Sequence, residues 1–413
     1  MLRFLTAGES HGKALIAMLE GVPAGLKVDL AAVNHELGKR QKGYGRSNRQ
    51  KLEKDEAQVL GGIRHGITTG APVALMVANK ESENWQYVMA VEEPDLSSPE
   101  AQEQMASKSI TRFRPGHADL AGTIKYSQHD VRDVLERASA RETAARVAAG
   151  ALCGQLLEKF GIKTISHVIQ IGPIKSTVNH EELPLKQIEQ EAEQSELFCI
   201  DKDASEKMKD YIQQMWQAGD TVGGVVEVRT ENLPVGLGSY TQWDRKLDGR
   251  ISQAIMSTQA IKAVEIGDGV EAASTPGSGV HDALMPNEGG KSLPFKRLTN
   301  HAGGLEGGMT NGDQLVVRAY MKPIPTMRAG LDSLNFPSFE AERAHYERSD
   351  VCAVPAASVV CKAMVNIVLA GALLEKFGND SIRELEIAIE EYRTYCRELG
   401  KKQSPRKSTK SPV

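Results

Sequence analysis

Two histidines stand in stretches whose neighbours suit chemistry. His11 lies in Ala7-Gly8-Glu9-Ser10-His11-Gly12, where glycine lets the backbone come close to a ligand. His117 lies in Arg112-Phe113-Arg114-Pro115-Gly116-His117-Ala118-Asp119. An imidazole gives or takes a proton near neutral pH, so either ring could be a general acid or base. Two guanidinium groups beside His117 disfavour its cation, and the sequence therefore predicts a neutral ring there. The plain alternatives are a structural histidine and a solvated loop. A third stretch, Arg40 to Lys51, holds five cations and no acid in twelve residues. Arginine also outnumbers lysine nearby: Arg112, Arg114, Arg132, Arg137, Arg141 and Arg146 stand against Lys125. The forked guanidinium suits carboxylate and phosphate. A small substrate with several anionic groups is expected, against the alternative of a solvated charged loop.

Other chemistries lose support. The chain has no GxGxxG between a strand and a helix, no GxxxxGK[ST], no HExxH and no GxSxG, which removes the common nucleotide, metal and serine-hydrolase signatures. Five cysteines form no CxxC pair; reduced thiols, a cytoplasmic setting and no metal site are the expectation. Lys+Arg is 50 and Asp+Glu 54 in 413 residues, a net charge of −4. The last thirteen residues carry five bases and no acid, so the rest is more acidic than the total. An acidic body argues against nucleic acid as partner, and the tail from 399 to 413 reads as disordered. No run of 18 apolar residues is found, and the best, Ala363 to Leu374, contains Asn366. Neither a membrane span nor a signal peptide is expected.

The elements that must hold these residues come in duplicate. Ala7–Gly12 matches Ala218–Gly223, and Pro23-Ala24-Gly25-Leu26 matches Pro234-Val235-Gly236-Leu237, both at an offset of 211. Glu136-Arg137 matches Glu347-Arg348 at the same offset. Gly61 to Gly70 matches Gly303 to Gly312 at 242, and Leu156-Leu157-Glu158-Lys159-Phe160-Gly161 recurs at Leu373–Gly378. Landmarks in the same order at drifting offsets indicate two half-repeats, about 1–161 and 162–378, within one domain over 1–398. Strands are expected at Ala14–Leu19, Pro72–Val77, Val225–Val228 and Gln314–Tyr320. Helices are expected at Ser139–Phe160 and Pro355–Phe377, each stopped by glycine and apolar nearly all round. Such helices must be covered, so they should face one another with strands outside. Asp203–Gly219 reads as an amphipathic helix, and the acidic stretch from Glu181 as a solvated excursion. Arg137 with Ser139, and Arg348 with Asp350, are placed at the starts of the core helices, where free amides favour anions. His11 and His117 have no counterpart in the other half, which marks them for chemistry.

These residues resemble the chorismate synthase family. The resemblance rests on Gly8–Gly12, on Arg112–Asp119 continuing to Lys125-Tyr126, and on Glu136-Arg137-Ala138-Ser139-Ala140-Arg141-Glu142-Thr143-Ala144. Gly43–Arg46, Gly219–Gly224, Asn300–Gly304 and Arg348-Ser349-Asp350 also fit, so it spans residues 3 to 378. It implies an α+β fold, a β-α-β sandwich with helices between antiparallel sheets, usually a homotetramer. It implies a shikimate-pathway lyase of aromatic amino acid biosynthesis. The reaction is 1,4-anti elimination of phosphate from 5-enolpyruvylshikimate 3-phosphate, giving chorismate, with reduced FMN and no net redox change. By the same resemblance FMN is held by Arg137, Ala138, Ser139, Gln259, Ala260, Gly307, Lys322, Pro323, Ile324, Pro325, Thr326 and Arg348. Substrate anions meet Arg40, Arg46, Arg49, Arg114 and Arg141. Arg40 and Arg46 also match NADPH positions, and the residues leave open whether NADPH reduces the flavin here. His11 protonates the departing phosphate, His117 stabilises the anionic reduced flavin near N1, and Asp350 sits near N5 and helps remove the C6 proton.

The chain departs from the family at Ile324-Pro325-Thr326, where many members carry Thr-Ser-Ser, and at Cys361-Lys362, where an acid is frequent. Two other classes stay open on the residues alone. One is a flavin- or polyanion-binding protein without turnover. The other is nucleic-acid binding through Arg40–Lys51 and the tail, which predicts a steep salt dependence.

Overall fold

Alternating and fully apolar runs give two large antiparallel sheets, beside four two-stranded ones, in the computed structural model, which describes residues 2–46, 54–287, 293–347 and 349–399. The first contains β1 (Arg3–Ala7), β2 (Ala14–Glu20), β3 (Ala57–Gly61) and β4 (Val73–Ala78), in the order β1-β2-β4-β3. The second contains β5 (Lys163–Ile171), β6 (Ile174–Lys175), β7 (Gly224–Glu231), β8 (Ile261–Ile266) and β9 (Leu315–Met321), in the order β8-β9-β7-β5-β6. The sheets repeat each other down to register. Arg3 pairs with Glu20 as Lys163 does with Glu231. Leu15 faces Val77 as Val226 faces Ala319, and Gln58 faces Met76 as Glu265 faces Arg318. A buried threonine closes the same turn twice. Thr68 Oγ1 donates to Pro23 O at 2.6 Å and accepts from Leu26 N at 2.9 Å. Thr310 Oγ1 donates to Pro234 O at 2.6 Å and accepts from Leu237 N at 2.8 Å.

The two core helices, Thr143–Lys159 and Val354–Phe377, lie between the sheets. The first packs against β2 and β4, the second against β5 and β7, and the two against each other. They approach closely because glycine and alanine meet: a Cβ on Gly150 would lie 2.4 Å from the Ala363 Cβ. Buried leucines, isoleucines and valines from both sheets and both helices form one continuous apolar core. The helices Leu30–Gln41 and Leu247–Met256 flank this core at equivalent places in the two halves.

Val354–Phe377 is long and apolar enough by composition to cross a membrane, but 89% of its most apolar window is buried inside the protein, as the expected covered core helix requires. Two expectations change. The region from Glu181 is no solvated excursion. It forms the helix Leu185–Gln194 and leads to Lys202–Ala218, and Leu185, Ile188, Leu197, Met208 and Ile212 are buried in the core. Its acids hid an apolar stripe at helical spacing. The first core helix begins at Thr143 rather than Ser139, after a 3₁₀ turn over Ala140–Glu142. Arg137 therefore closes the preceding helix, Val131–Ala138, and Asp350 precedes Val354 by four residues. Arg49, Arg348 and the tail from residue 400 onward, all singled out in the sequence, lie outside the described residues.

Candidate active site

The connections from β4 and from β9 into the two core helices meet and wall a cleft. Phe113 N donates to Leu334 O at 3.2 Å and Phe336 N to Thr111 O at 2.7 Å. A small separate core of Ile110, Phe113, Val131 and Leu135 braces this junction. The cleft has a volume of ≈ 510 Å³, within the range of small-molecule sites. It gathers His11, Arg40, Arg46, Arg114, His117, Ala138, Ser139, Arg141, Gln259, Ala260, Lys322, Ile324, Pro325, Thr326 and Asp350 from distant parts of the sequence. Arg137 and Gly307 do not line it. Arg137 donates to Gly8 O at 2.9 Å and Thr6 O at 3.0 Å, tethering the glycine loop. Gly307 lies in the turn between Leu305–Glu306 and Met309–Thr310, beside Tyr240. Pro323 sits between cleft residues without lining the cleft.

Arg114, His117 and His11 each have a carboxylate partner. Arg114 makes a forked pair with Asp119, Nε to Oδ2 at 2.8 Å and Nη2 to Oδ1 at 3.0 Å. His117 Nδ1 lies 2.5 Å from Asp119 Oδ1. The fully buried Asp119 sets a negative charge directly beside the His117 ring. Burial pushes the Asp119 carboxyl up, but the His117 and Arg114 hydrogen bonds and charges hold it well below the usual range. His11 packs its ring on Trp85, centroids 3.9 Å apart. Its Nδ1 lies 2.9 Å from Glu136 Oε2, and its backbone N–H donates to the same oxygen. Burial raises the Glu136 carboxyl, yet His11 and Arg132 bring it below its ordinary value.

Three further arginines meet two other carboxylates. Arg40 donates to Asp55 Oδ2 at 2.7 Å and Arg141 to Asp55 Oδ1 at 2.6 Å. Arg46 lies 3.0 Å from Asp350. Burial lowers the proton affinity of Arg40, and Arg141 and Arg46 lower it further against the pull of Asp55. Such crowding of guanidinium groups, which stay charged, favours an incoming anion. Asp55, Asn79 and Trp85 carry no local signal in the sequence. Asn79 holds the glycine loop through Gly12 O at 2.7 Å and accepts from Arg141 Nε at 3.0 Å.

Backbone form fixes these side chains. Ala260 has φ 65, a left-handed conformation that costs energy for alanine and collects at functional sites. Gly45 has φ +86, and a Cβ there would meet Ile212 at 3.0 Å and Cys352 at 3.1 Å. Its carbonyl accepts from Val351 N at 2.9 Å, docking Arg46 against Asp350. Gly45→Ala is expected to destabilise the fold by about 1–3 kcal/mol and to weaken anion binding through Arg46. Urea midpoints and phosphate titrations read both effects, and an unchanged midpoint would contradict the strain argument.

A family model described as chorismate synthase matches residues 2–374. A relative called chorismate synthase from Koribacter versatilis (strain Ellin345) is 48% identical over 403 residues, covering 97% of this chain and 99% of the relative. One of the same description from Geobacter sulfurreducens is 50% identical over 401 residues, covering 96% and 100%. A crystal structure of chorismate synthase aligns with a TM-score of 0.76 at 43% identity, covering 96% of this chain and 99% of that one.

Proposed function

The chain belongs to the chorismate synthase family, and on that premise we propose that its cleft converts 5-enolpyruvylshikimate 3-phosphate into chorismate and inorganic phosphate. The observation that carries the reading is the convergence of Arg40, Arg46, Arg114 and Arg141 with His11 and His117 on one cleft. A substrate with two carboxylates and a phosphate matches that set of cations.

FMN fits the same cleft. Arg40 Nε, Arg46 Nε, Thr258 Oγ1 and Gln259 Oε1 are buried there without a partner in the protein, and buried polar atoms call for one. Ala138, Ser139, Gln259, Ala260 and the segment from Lys322 to Thr326 would hold the cofactor. Lys322 is held at the cleft by two contacts, Nζ to Gly116 O at 2.6 Å and N to Ala260 O at 2.9 Å, which supports its inclusion in this set. Arg137, Gly307 and Arg348 belong to this set by resemblance alone. When bound in its reduced form, FMN supplies electron density that eases the departure of phosphate.

The chain's own groups do the rest. The arginines bind and orient the anions, and the C3–O bond and the C6 hydrogen that break already stand on opposite faces of the substrate ring, as an anti elimination requires. His11 gives a proton to the departing phosphate. His117, held by Asp119, offsets negative charge in the cleft. Asp350, held by Arg46, helps carry off the C6 proton as the new double bond forms. Purified protein with reduced FMN and substrate under anaerobic conditions should release phosphate and chorismate in equal amounts. No phosphate and no chorismate absorbance would sink the reading. A cytoplasmic homotetramer goes with it. Support for association comes from the outer face of the first sheet, where Leu5, Met18 and Leu60 are exposed. Light scattering at the mass of one chain would contradict it.

A further inference from the structure

We propose that Glu136 is the positioning residue for His11, presenting the ring so that proton transfer into the cleft runs through Nε2. The proposal rests on the reading of His11 as proton donor to the leaving phosphate. Glu136 is 1% exposed and lies behind the cleft wall rather than on it. Both its oxygens reach His11 Nδ1, at 3.0 and 2.9 Å. One of them also takes the His11 backbone N–H at 2.9 Å, while the Glu136 carbonyl takes Ser10 N at 3.0 Å. The same residue therefore fixes the loop and the ring it carries. A carboxylate only accepts, so Nδ1 must be the protonated, donating nitrogen. The partner of one ring nitrogen decides which proton the other can exchange. Since Nδ1 keeps its proton on Glu136, the proton given to phosphate is the one on Nε2.

Two neighbours hold this arrangement in place. Arg132, one helical turn before Glu136, donates to Oε1 at 2.7 Å and stops the carboxylate from turning away. Trp85 covers one face of the imidazole, stacked at 22°, and is itself flanked by Lys108 and Arg132. Ring rotation would break the stack and the Nδ1 contact together. The Val131–Ala138 helix thus sets the angle of a proton donor that lies 125 residues away in the sequence.

A double-mutant cycle on the FMN-loaded, full-length protein tests this, with kcat, KM and thermal midpoint measured for wild type, Glu136→Gln, His11→Ala and the double variant. Glu136→Gln keeps the shape and removes the charged acceptor. The expected result is a kcat lowered by about 10–100-fold with KM nearly unchanged, and a double variant no slower than His11→Ala, since residues that act as a unit are not additive. A double variant slower than His11→Ala by the full Glu136→Gln factor would show that Glu136 acts elsewhere and overturn the proposal. Wild-type kcat in Glu136→Gln would overturn it as well. Wild-type kcat in His11→Ala removes the donor reading itself and the proposal with it, an outcome separate from the other two. If Glu136→Gln does not fold, Glu136→Asp carries the same cycle.

Discussion

His11→Ala is expected to lower turnover by about 10²–10⁴-fold, the range for losing a general acid, while FMN and substrate still bind. The split follows from where the ring sits. His11 is buried against Trp85 and anchored to Glu136, whereas Arg40 and Arg141, proposed to take the anions, are anchored to Asp55. Removing it leaves Arg40, Arg141 and Asp55 untouched. Phosphate leaving as a more basic anion then has no proton to take, and the loss falls on the chemical step. Single-turnover phosphate release with reduced FMN reads that step, and a fluorescence titration reads FMN affinity. Wild-type release would take the donor role from His11. A loss confined to FMN affinity would make it a cofactor contact instead.

The architecture is legible in the sequence because its strongest signals are periodic and repeated. Both core helices show as long apolar runs ended by glycine, and apolarity on all sides demands cover from both sheets. The half-repeats are legible because the turn Pro-x-Gly-Leu and its partner threonine recur, and the structure shows the same two hydrogen bonds in each half. The first strand of the second half was hidden. Lys163–Ile171 stands in the place of Arg3–Ala7, but the long insertion after it breaks the common offset. The start of the first core helix was hidden too. Residues from Val131 to Lys159 are nearly all good helix formers, and only the 3₁₀ turn at Ala140–Glu142 divides them.

The site is legible where its groups share a short stretch, and not where they meet only in space. Arg114, His117 and Asp119 lie within six residues, so the arginine and the histidine stand out in one stretch, while the part of Asp119 shows only once its carboxylate meets both. Asp55 has no such neighbour. Its importance arises from Arg40 and Arg141, 15 and 86 residues away, which close on its two oxygens. Trp85 lies in a short 3₁₀ segment with no pattern pointing to His11. The placement of Arg137 and Ser139 at a helix start fails for a related reason. Helix propensity runs through them, while their use as a tether to the Thr6–Gly8 loop and as a cap on Arg141 depends on tertiary contacts.

Asp119→Asn is expected to cost about 3–5 kcal/mol of stability, the loss when one partner of a buried ion pair is removed, and to impair turnover as well. Asp119 is 0% exposed and accepts from Arg114 Nε, Nη2 and backbone N–H while facing His117 Nδ1. The amide keeps the shape but leaves the Arg114 guanidinium, itself buried, without a counter-charge, and turns an NH₂ group toward a donor. Urea unfolding at neutral pH reads the loss, and a change below about 1 kcal/mol would mean that the pair contributes no more than a surface one. The pH dependence gives an independent check. Despite burial, His117 and Arg114 hold the folded-state carboxyl below its ordinary value of 3.8. A lowered carboxyl binds its proton more readily in the unfolded chain, so it stabilises the fold fully above the unfolded pKa. That stabilisation is lost as pH falls below about 4 toward the folded value. The wild type should therefore lose stability more steeply than Asp119→Asn on acidification from about pH 5 to 3, and the gap between the two should narrow. A gap that stays constant over that range would place the effect of the substitution in packing rather than in charge.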